Sequence, residues 1–163
     1  MEEKKYVAKT LQGIEEVLEK ELISYGAKNV KSGRRMLEFE ADEKTMYSIN
    51  YRVATAIRIL QSFHSFEFND INEFYDNLFS LKWEDIISPS QTIAIDASVS
   101  NSELFNNSHF TELKAKDAIV DYFRDKFGIR PSVNKENPAL LVNIFVNKNF
   151  CHVSLDTSGI PLY

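Results

Sequence analysis

The apolar period of the first 65 residues switches repeatedly between that of a strand and that of a helix, and this alternation constrains the fold more than any other feature of the chain. Residues 6–11 (YVAKTL) read as a strand. Gly13 opens GIEEVLEKELISYGA, in which Ile14, Val17, Leu18, Leu22 and Ile23 fall at helical spacing. Glu15 and Glu16 suit the positive end of that helix, and Gly26 is a C-terminal stop. Val30 lies in a second strand, Gly33 marks a turn, and Met36, Leu37 and Phe39 belong to a third strand ending at Glu40. Asp42 is an N-cap for a second helix reaching about Arg52, with Met46, Ile49 and Tyr51 among its larger residues. Residues 56–63 (AIRILQSF) form a fourth strand. The order is βαββαβ.

Within so short a stretch that order is the ferredoxin-like arrangement. After a connection at 66–70, Ile71, Phe74, Tyr75, Leu78, Phe79 and Leu81 repeat at helical spacing, Trp83 and Ile86 continue the apolar side, and Pro89 ends it. Residues 92–100 alternate as Ile93, Ile95, Ala97 and Val99, the signature of a half-buried strand. A polar loop, NSELFNNS, leads to the longest helix, about 108–127, with Asn107 or Ser108 as its cap. Ala115, Ala118, Ile119, Tyr122 and Phe123 mark its buried side, and Gly128 its stop. A short extended piece at 131–133 precedes two strands, 140–147 and 150–158, joined by a tight turn at Lys148-Asn149. The chain is therefore α+β.

Several chemistries lack their residues. The five glycines are scattered singly, so neither a GxGxxG nor a GxxxxGK[ST] turn is present. No cofactor is expected to bind this chain. His64, His109 and His152 lack zinc-type spacing with Cys151, so no metal is expected either. A GxSxG elbow is absent, and pairs such as Glu15-Glu16 and Glu84-Asp85 read as solvated helix positions. Asn137-Pro138-Ala139-Leu140 resembles the start of an Asn-Pro-Pro-aromatic motif but lacks the second proline and the aromatic. It reads as a loop entering a strand. No catalytic residue is expected. No stretch is apolar enough to span a bilayer, and the first residues lack a secretory apolar core. The single cysteine, Cys151, cannot form an internal disulfide and reads as a small core residue. A cytoplasmic setting follows as an expectation.

Charge narrows what remains. The net charge is −5, yet its distribution is uneven. Residues 66–107 hold Lys82 against eight acids, whereas 108–135 hold Lys114, Lys116, Arg124, Lys126, Arg130 and Lys135 against four. An anionic partner should meet the second segment. There a Ser/Asn loop runs into a helix N-terminus, whose free N–H groups and positive dipole end suit a phosphate. The candidate residues for an anionic partner, RNA among them, are Asn101, Ser102, Ser108, His109, Lys114, Lys116, Arg124, Arg130, Ser132 and Lys135. Lys114 and Arg124 project to the solvent side of the helix with Lys116 at its border, but Asp117, Asp121 and Asp125 share that side. Lys114 with Asp117 and Asp121 with Arg124 can pair at i,i+3, so the pattern alone equally suits an exposed helix laced with weak ion pairs. The alternative is a noncatalytic protein–protein scaffold, using the acidic segment and the aromatic-rich stretch at 71–81.

The chain also resembles a known family. Ala8-Lys9-Thr10-Leu11 with Gly13-Ile14-Glu15 and Glu21-Leu22 is similar to the opening of bacterial class I RNA guanine-N2 methyltransferases that carry a THUMP domain. Asp96-Ala97-Ser98-Val99-Ser100-Asn101-Ser102, Leu113-Lys114-Ala115-Lys116-Asp117-Ala118-Ile119-Val120-Asp121 and Phe127-Gly128-Ile129-Arg130-Pro131-Ser132-Val133 are similar to the THUMP part. So are Lys135-Glu136-Asn137-Pro138 and Leu155-Asp156-Thr157-Ser158-Gly159. The resemblance implies a ferredoxin-like domain at 1–65 followed by a THUMP domain at 66–163 that docks structured RNA, in particular large-subunit ribosomal RNA. It implies a catalytic domain using S-adenosylmethionine on the same polypeptide, C-terminal to this region. The chain is thus expected to be an N-terminal piece of a larger enzyme.

Overall fold

The computed structural model describes residues 3–33, 35–53 and 58–156. They divide into two compact units, one reaching Ser62 and including Leu155 and Asp156, the other running from Phe63 to Ser154. In the first unit β1 (Glu3–Lys9), α1 (Glu15–Ser24), β2 (Lys28–Gly33), β3 (Met36–Asp42), α2 (Glu43–Arg52) and the start of β4 (Arg58–Glu67) follow in the expected order. The strands lie as β2-β3-β1-β4, all antiparallel, with Tyr6 opposite both Phe39 and Gln61. Alternation along β1 and β3 turns Tyr6, Ala8, Leu37, Phe39 and Ala41 to one face. Leu18 and Leu22 of α1 and Met46 and Ile49 of α2 join them in one core cluster. Asp42 caps α2 as expected, its carboxylate accepting from Thr45 N–H at 2.7 Å. Gly26, at φ +101°, closes α1 in the left-handed conformation that glycine adopts at little cost. Tyr51, expected among the larger residues of α2, is 88% exposed.

Two boundaries differ from those the sequence predicts. Residues 56 and 57 lie outside the described part, but β4 runs on through Glu67, into the segment expected to be a connection. Phe66 and Phe68, expected in that connection, are buried against Phe74. The helical pattern at 71–86 also breaks. α3 (Ile71–Phe79) is capped by Asp70 and ends at Ser80, and a 3-10 turn follows at Trp83–Asp85. The indole N–H of buried Trp83 donates to the Leu78 carbonyl at 2.8 Å, which also accepts from Leu81 N–H at 3.3 Å.

In the second unit the strands lie in the order β8-β7-β5-β6. They are β5 (Thr92–Ser100), β6 (Ser132–Val133), β7 (Leu140–Asn147) and β8 (Phe150–Asp156), and β4 pairs beside β8. β5 runs parallel to both β6 and β7. The apolar alternation of β5 puts Ile93 opposite Leu140 and Ala97 opposite Ile144, giving the sheet a buried face. α4 (Ser108–Phe127) is among the elements packed with this sheet and buries Thr111, Ala115, Ala118, Ile119, Val120 and Phe123; Tyr122 is half-buried. Asn107 caps it through Phe110 N–H at 2.8 Å, and Gly128, at φ +74°, ends it. Cys151 is buried, and burial pushes its thiol up to about 12. Thr157 and Ser158, expected in the last strand, lie outside the described residues.

The 3-10 turn is tied to α4 by polar contacts. Glu84 accepts from the Tyr122 hydroxyl and from Lys126 Nζ, and these bonds hold its carboxyl down to about 2. A carboxylate with a depressed folded-state pKa contributes stability that is present above its unfolded value and lost as pH falls through the folded one. Acid titration should therefore show destabilisation between about pH 4.5 and 2 that Glu84→Gln diminishes. Thermal midpoints across that window measure it. Equal acid sensitivity of the variant and the parent protein would exclude the clamp.

Candidate functional site

Two cavities lie along α4. The first, about 480 Å3, is lined by Ala97, Ser98 and Val99 of β5, by Asn101, Ser102, Phe105 and Asn106 of the loop, and by Asn107 and Ser108 at the start of α4. β5 ends at Ser100, where Asn101 takes a positive φ of +55° and turns the chain. Ser102 Oγ accepts from Phe105 N–H at 3.2 Å. Phe105, expected inside a polar loop, is 1% exposed and packs edge-on to Phe74 at 4.7 Å. That buried ring anchors the middle of the loop, so the Ser and Asn side chains around it are presented from a fixed base. The first turn of α4 carries no acidic residue, and its positive end faces this cavity.

The second cavity, about 600 Å3, is lined by Lys116, Asp117, Val120, Asp121 and Arg124 of α4 and by Arg130, Pro131, Ser132 and Val133 around β6. Gly128 turns the chain so that residues 130–133 return beside the helix they have just left. Asn134 N–H then donates to Ile93 O at 3.0 Å, fixing that return to the sheet. Asp121 is shared: it accepts from the Tyr75 hydroxyl at 2.5 Å and from Arg124 at 2.7 Å. Burial and the Asp121 charge push the Tyr75 hydroxyl up to about 12.

The structure thus gathers seven of the ten candidate residues, Asn101, Ser102 and Ser108 in one cavity and Lys116, Arg124, Arg130 and Ser132 in the other. His109 and Lys135 are exposed, and Lys114 is half-buried; none of the three lines either cavity. Two local expectations change. Asp117 pairs with Lys116 at 3.1 Å rather than with Lys114. On the outer side of the helix Leu113 is the more exposed neighbour, at 42%. The expected Asp121–Arg124 pair is present. Phe105 and Val133 are absent from the sequence-based candidates, since their apolar character gives no signal of a polar site.

Asn137-Pro138-Ala139-Leu140 leads into β7 as expected. Asn134 Oδ1 accepts from the Glu136 and Asn137 N–H groups, and Ala139 N–H reaches Thr92 O at 3.0 Å. Among the described residues no group of three His, Cys, Asp or Glu is placed to hold a metal ion, and no helix is long and apolar enough to cross a membrane.

Known proteins show the same organisation. Residues 68–156 match the model of the THUMP domain, an RNA-binding domain, and residues 5–60 match that of the RlmL ferredoxin-like domain. A Synechocystis protein named as an RNA methyltransferase is 33% identical over 158 residues, covering 97% of this chain and 41% of its own length. The ribosomal RNA large subunit methyltransferase K/L of Syntrophotalea carbinolica is 33% identical over 159 residues, covering 98% of this chain and 22% of its own length. The chain spans well under half the length of these curated relatives. Among solved structures, a chain from Clostridium difficile 630 described as a possible methylase aligns at TM-score 0.82 with 20% identity, over 96% of this chain and 41% of that one. A 4-thiouridine synthetase in complex with RNA aligns at TM-score 0.56 with 16% identity, over 95% of this chain and 41% of that one. At such identities these two structures show the fold alone.

Proposed function

Because this chain belongs to the THUMP domain family, we propose that it is the RNA-docking region of an RNA methyltransferase, with a ferredoxin-like domain at 1–65 and the THUMP domain at 66–163. The ligand is structured RNA, and the sequence resemblance points to large-subunit ribosomal RNA. The methyl acceptor is a guanine N2, and transfer takes place in a methyltransferase domain of the same polypeptide. S-adenosylmethionine belongs to that domain. At the turn between β1 and α1 Gly13 is the one glycine, and a Cβ added there meets nothing within 4 Å, so that turn is not packed around a cofactor.

The observation that carries this reading is the arrangement of two cavities along one helix. The start of α4 offers N–H groups and hydroxyls, and the groove further along offers Lys116, Arg124 and Arg130. Ser108 and Lys116 are eight residues apart, a rise of about 12 Å, so one RNA strand can touch both. Two further points support it. The relatives carry RNA methyltransferase names, and the 4-thiouridine synthetase that shares the fold is described in complex with RNA.

Some of the features that suggested a protein scaffold also serve the fold. Phe74 and Leu78 of α3 are buried, Asp70 caps that helix, and Glu84 clamps α4. The test is filter binding of the 163-residue chain to structured ribosomal RNA across salt. Binding should weaken linearly in log–log form, with a slope set by the number of phosphates contacted. Absence of RNA binding, together with capture of a protein partner from nuclease-treated lysate, would replace this reading with the scaffold.

A further inference from the structure

The sheet of the second unit has a face opposite the one buried against helices, and three rings gather on it. His152 contacts Phe150 at a centroid distance of 4.8 Å and Phe145 at 6.1 Å. His152 is exposed, and both phenylalanines are half-buried. The side-chain alternation of a strand explains the grouping: Phe150 and His152 are two apart on β8, and Phe145 lies on neighbouring β7. Ser65 Oγ on β4 lies 3.0 Å from His152 Nδ1, which fixes the imidazole against the sheet. On the other side, Phe145 is in register with Ser98 of β5, and Ser98 lines the first cavity of α4. Ser65, His152, Phe145 and Ser98 thus form a row across four adjacent strands that ends in the Ser/Asn cavity. The β7–β8 turn stands beside this row. Lys148, exposed at φ +57°, donates its N–H to Ser100 O at 2.9 Å.

Such a row suits an unpaired base. Every base has a π-face, and stacking on aromatic rings is the common way that sheets hold single-stranded RNA. We infer that Phe145, Phe150 and His152 form a stacking platform for one or two unpaired nucleotides of the docked RNA, whose backbone continues through the Ser98 position into the cavity at the start of α4. Lys148 supplies the cation at the edge of this path. The inference rests on the RNA-docking reading and adds to it a second, base-directed kind of contact. The α4 cavities offer phosphate contacts, which depend steeply on salt. The rings offer contacts that depend weakly on salt but require the bases.

The experiment uses the 163-residue chain and single-stranded RNA of about ten nucleotides, within the site sizes of single-strand binders. A second probe has the same backbone without bases. Phe145→Leu, Phe150→Leu and His152→Ala keep apolar volume or sit at the surface, and thermal melts verify that each variant folds. Each should weaken binding of the intact oligonucleotide about fivefold or more while leaving the salt slope unchanged. The same variants should bind the abasic probe as the parent chain does. A merely structural role for the rings would weaken both probes alike and would overturn the inference. Equal binding of the intact oligonucleotide by parent and ring variants would overturn it too, leaving RNA docking intact and this face free for a protein contact. If the parent chain binds no RNA of any kind, the docking reading itself falls.

Discussion

Replacing Trp83 with alanine is expected to destabilise the second unit by about 3–5 kcal/mol, the range for removing a large buried aromatic side chain. Trp83 is fully buried and packs against Phe63 at 5.4 Å. Alanine removes that apolar surface, leaves a cavity between α3 and the sheet, and strips the Leu78 carbonyl of its indole donor. Trp83→Phe separates the two effects. It keeps most of the apolar volume and removes the hydrogen bond, while the Leu78 carbonyl keeps the Leu81 N–H, so it should cost about 0.5–1.5 kcal/mol. Urea unfolding followed by circular dichroism measures both, since Trp83 is the only tryptophan and the alanine variant has no indole fluorescence to follow. A shift for Trp83→Ala within about 0.5 kcal/mol, as a surface change gives, would contradict this account of the core.

The second large effect concerns the charge of the α4 surface. Replacing Lys114, Lys116 and Arg130 together with alanine should lower the salt slope of RNA binding by roughly 2 to 3, at about 0.7 to 0.9 for each phosphate no longer neutralised. If the parent and variant lines converge near 1 M salt, that amounts to roughly 100-fold or more in affinity at 0.1 M. Lys116 and Arg130 line the second cavity, whereas Lys114 lies outside it. Lys116 lies 3.1 Å from Asp117, so its removal also exposes that carboxylate to the RNA. Arg124 is held by Asp121, which the Tyr75 hydroxyl fixes in turn, so Arg124→Ala should change the slope less than Arg130→Ala. Filter binding across salt reads all of this. An unchanged slope and affinity in the triple variant would show that RNA meets a different surface.

Much of this architecture is legible in local sequence because the signals are local. Asp42 and Asn107 cap helices through side chains that reach only three residues ahead, and Gly26 and Gly128 stop helices at positions of positive φ. The strand at 92–100 is legible because one of its faces is buried and its period is therefore two. Three features escape for the opposite reason. β4 continues through Phe66 because those residues pair with a strand that begins more than eighty positions later. α3 stops at Phe79 although the apolar spacing runs on, and the Leu78 carbonyl there is taken by Leu81 N–H and the Trp83 indole, a contact local spacing does not signal. Asp117 pairs with Lys116 rather than Lys114 because pairing depends on where each side chain leaves the helix, which spacing alone does not give.

Local sequence is enough to set the order of elements, the helix caps and the concentration of basic residues between 108 and 135. Each depends on backbone propensity, apolar period or charge within a few positions, and none needs a distant partner. Which of those residues share a surface is settled only when the chain packs. The turn after Gly128 and the Asn134 bond to β5 bring Arg130 and Ser132 back beside Lys116 and Arg124. The buried Phe105 ring presents the Ser/Asn loop at the start of the same helix. Strand register sets Phe145 between His152 and Ser98. These placements come from hydrogen bonds and ring packing between residues far apart in the chain, and local sequence carries no record of such pairings.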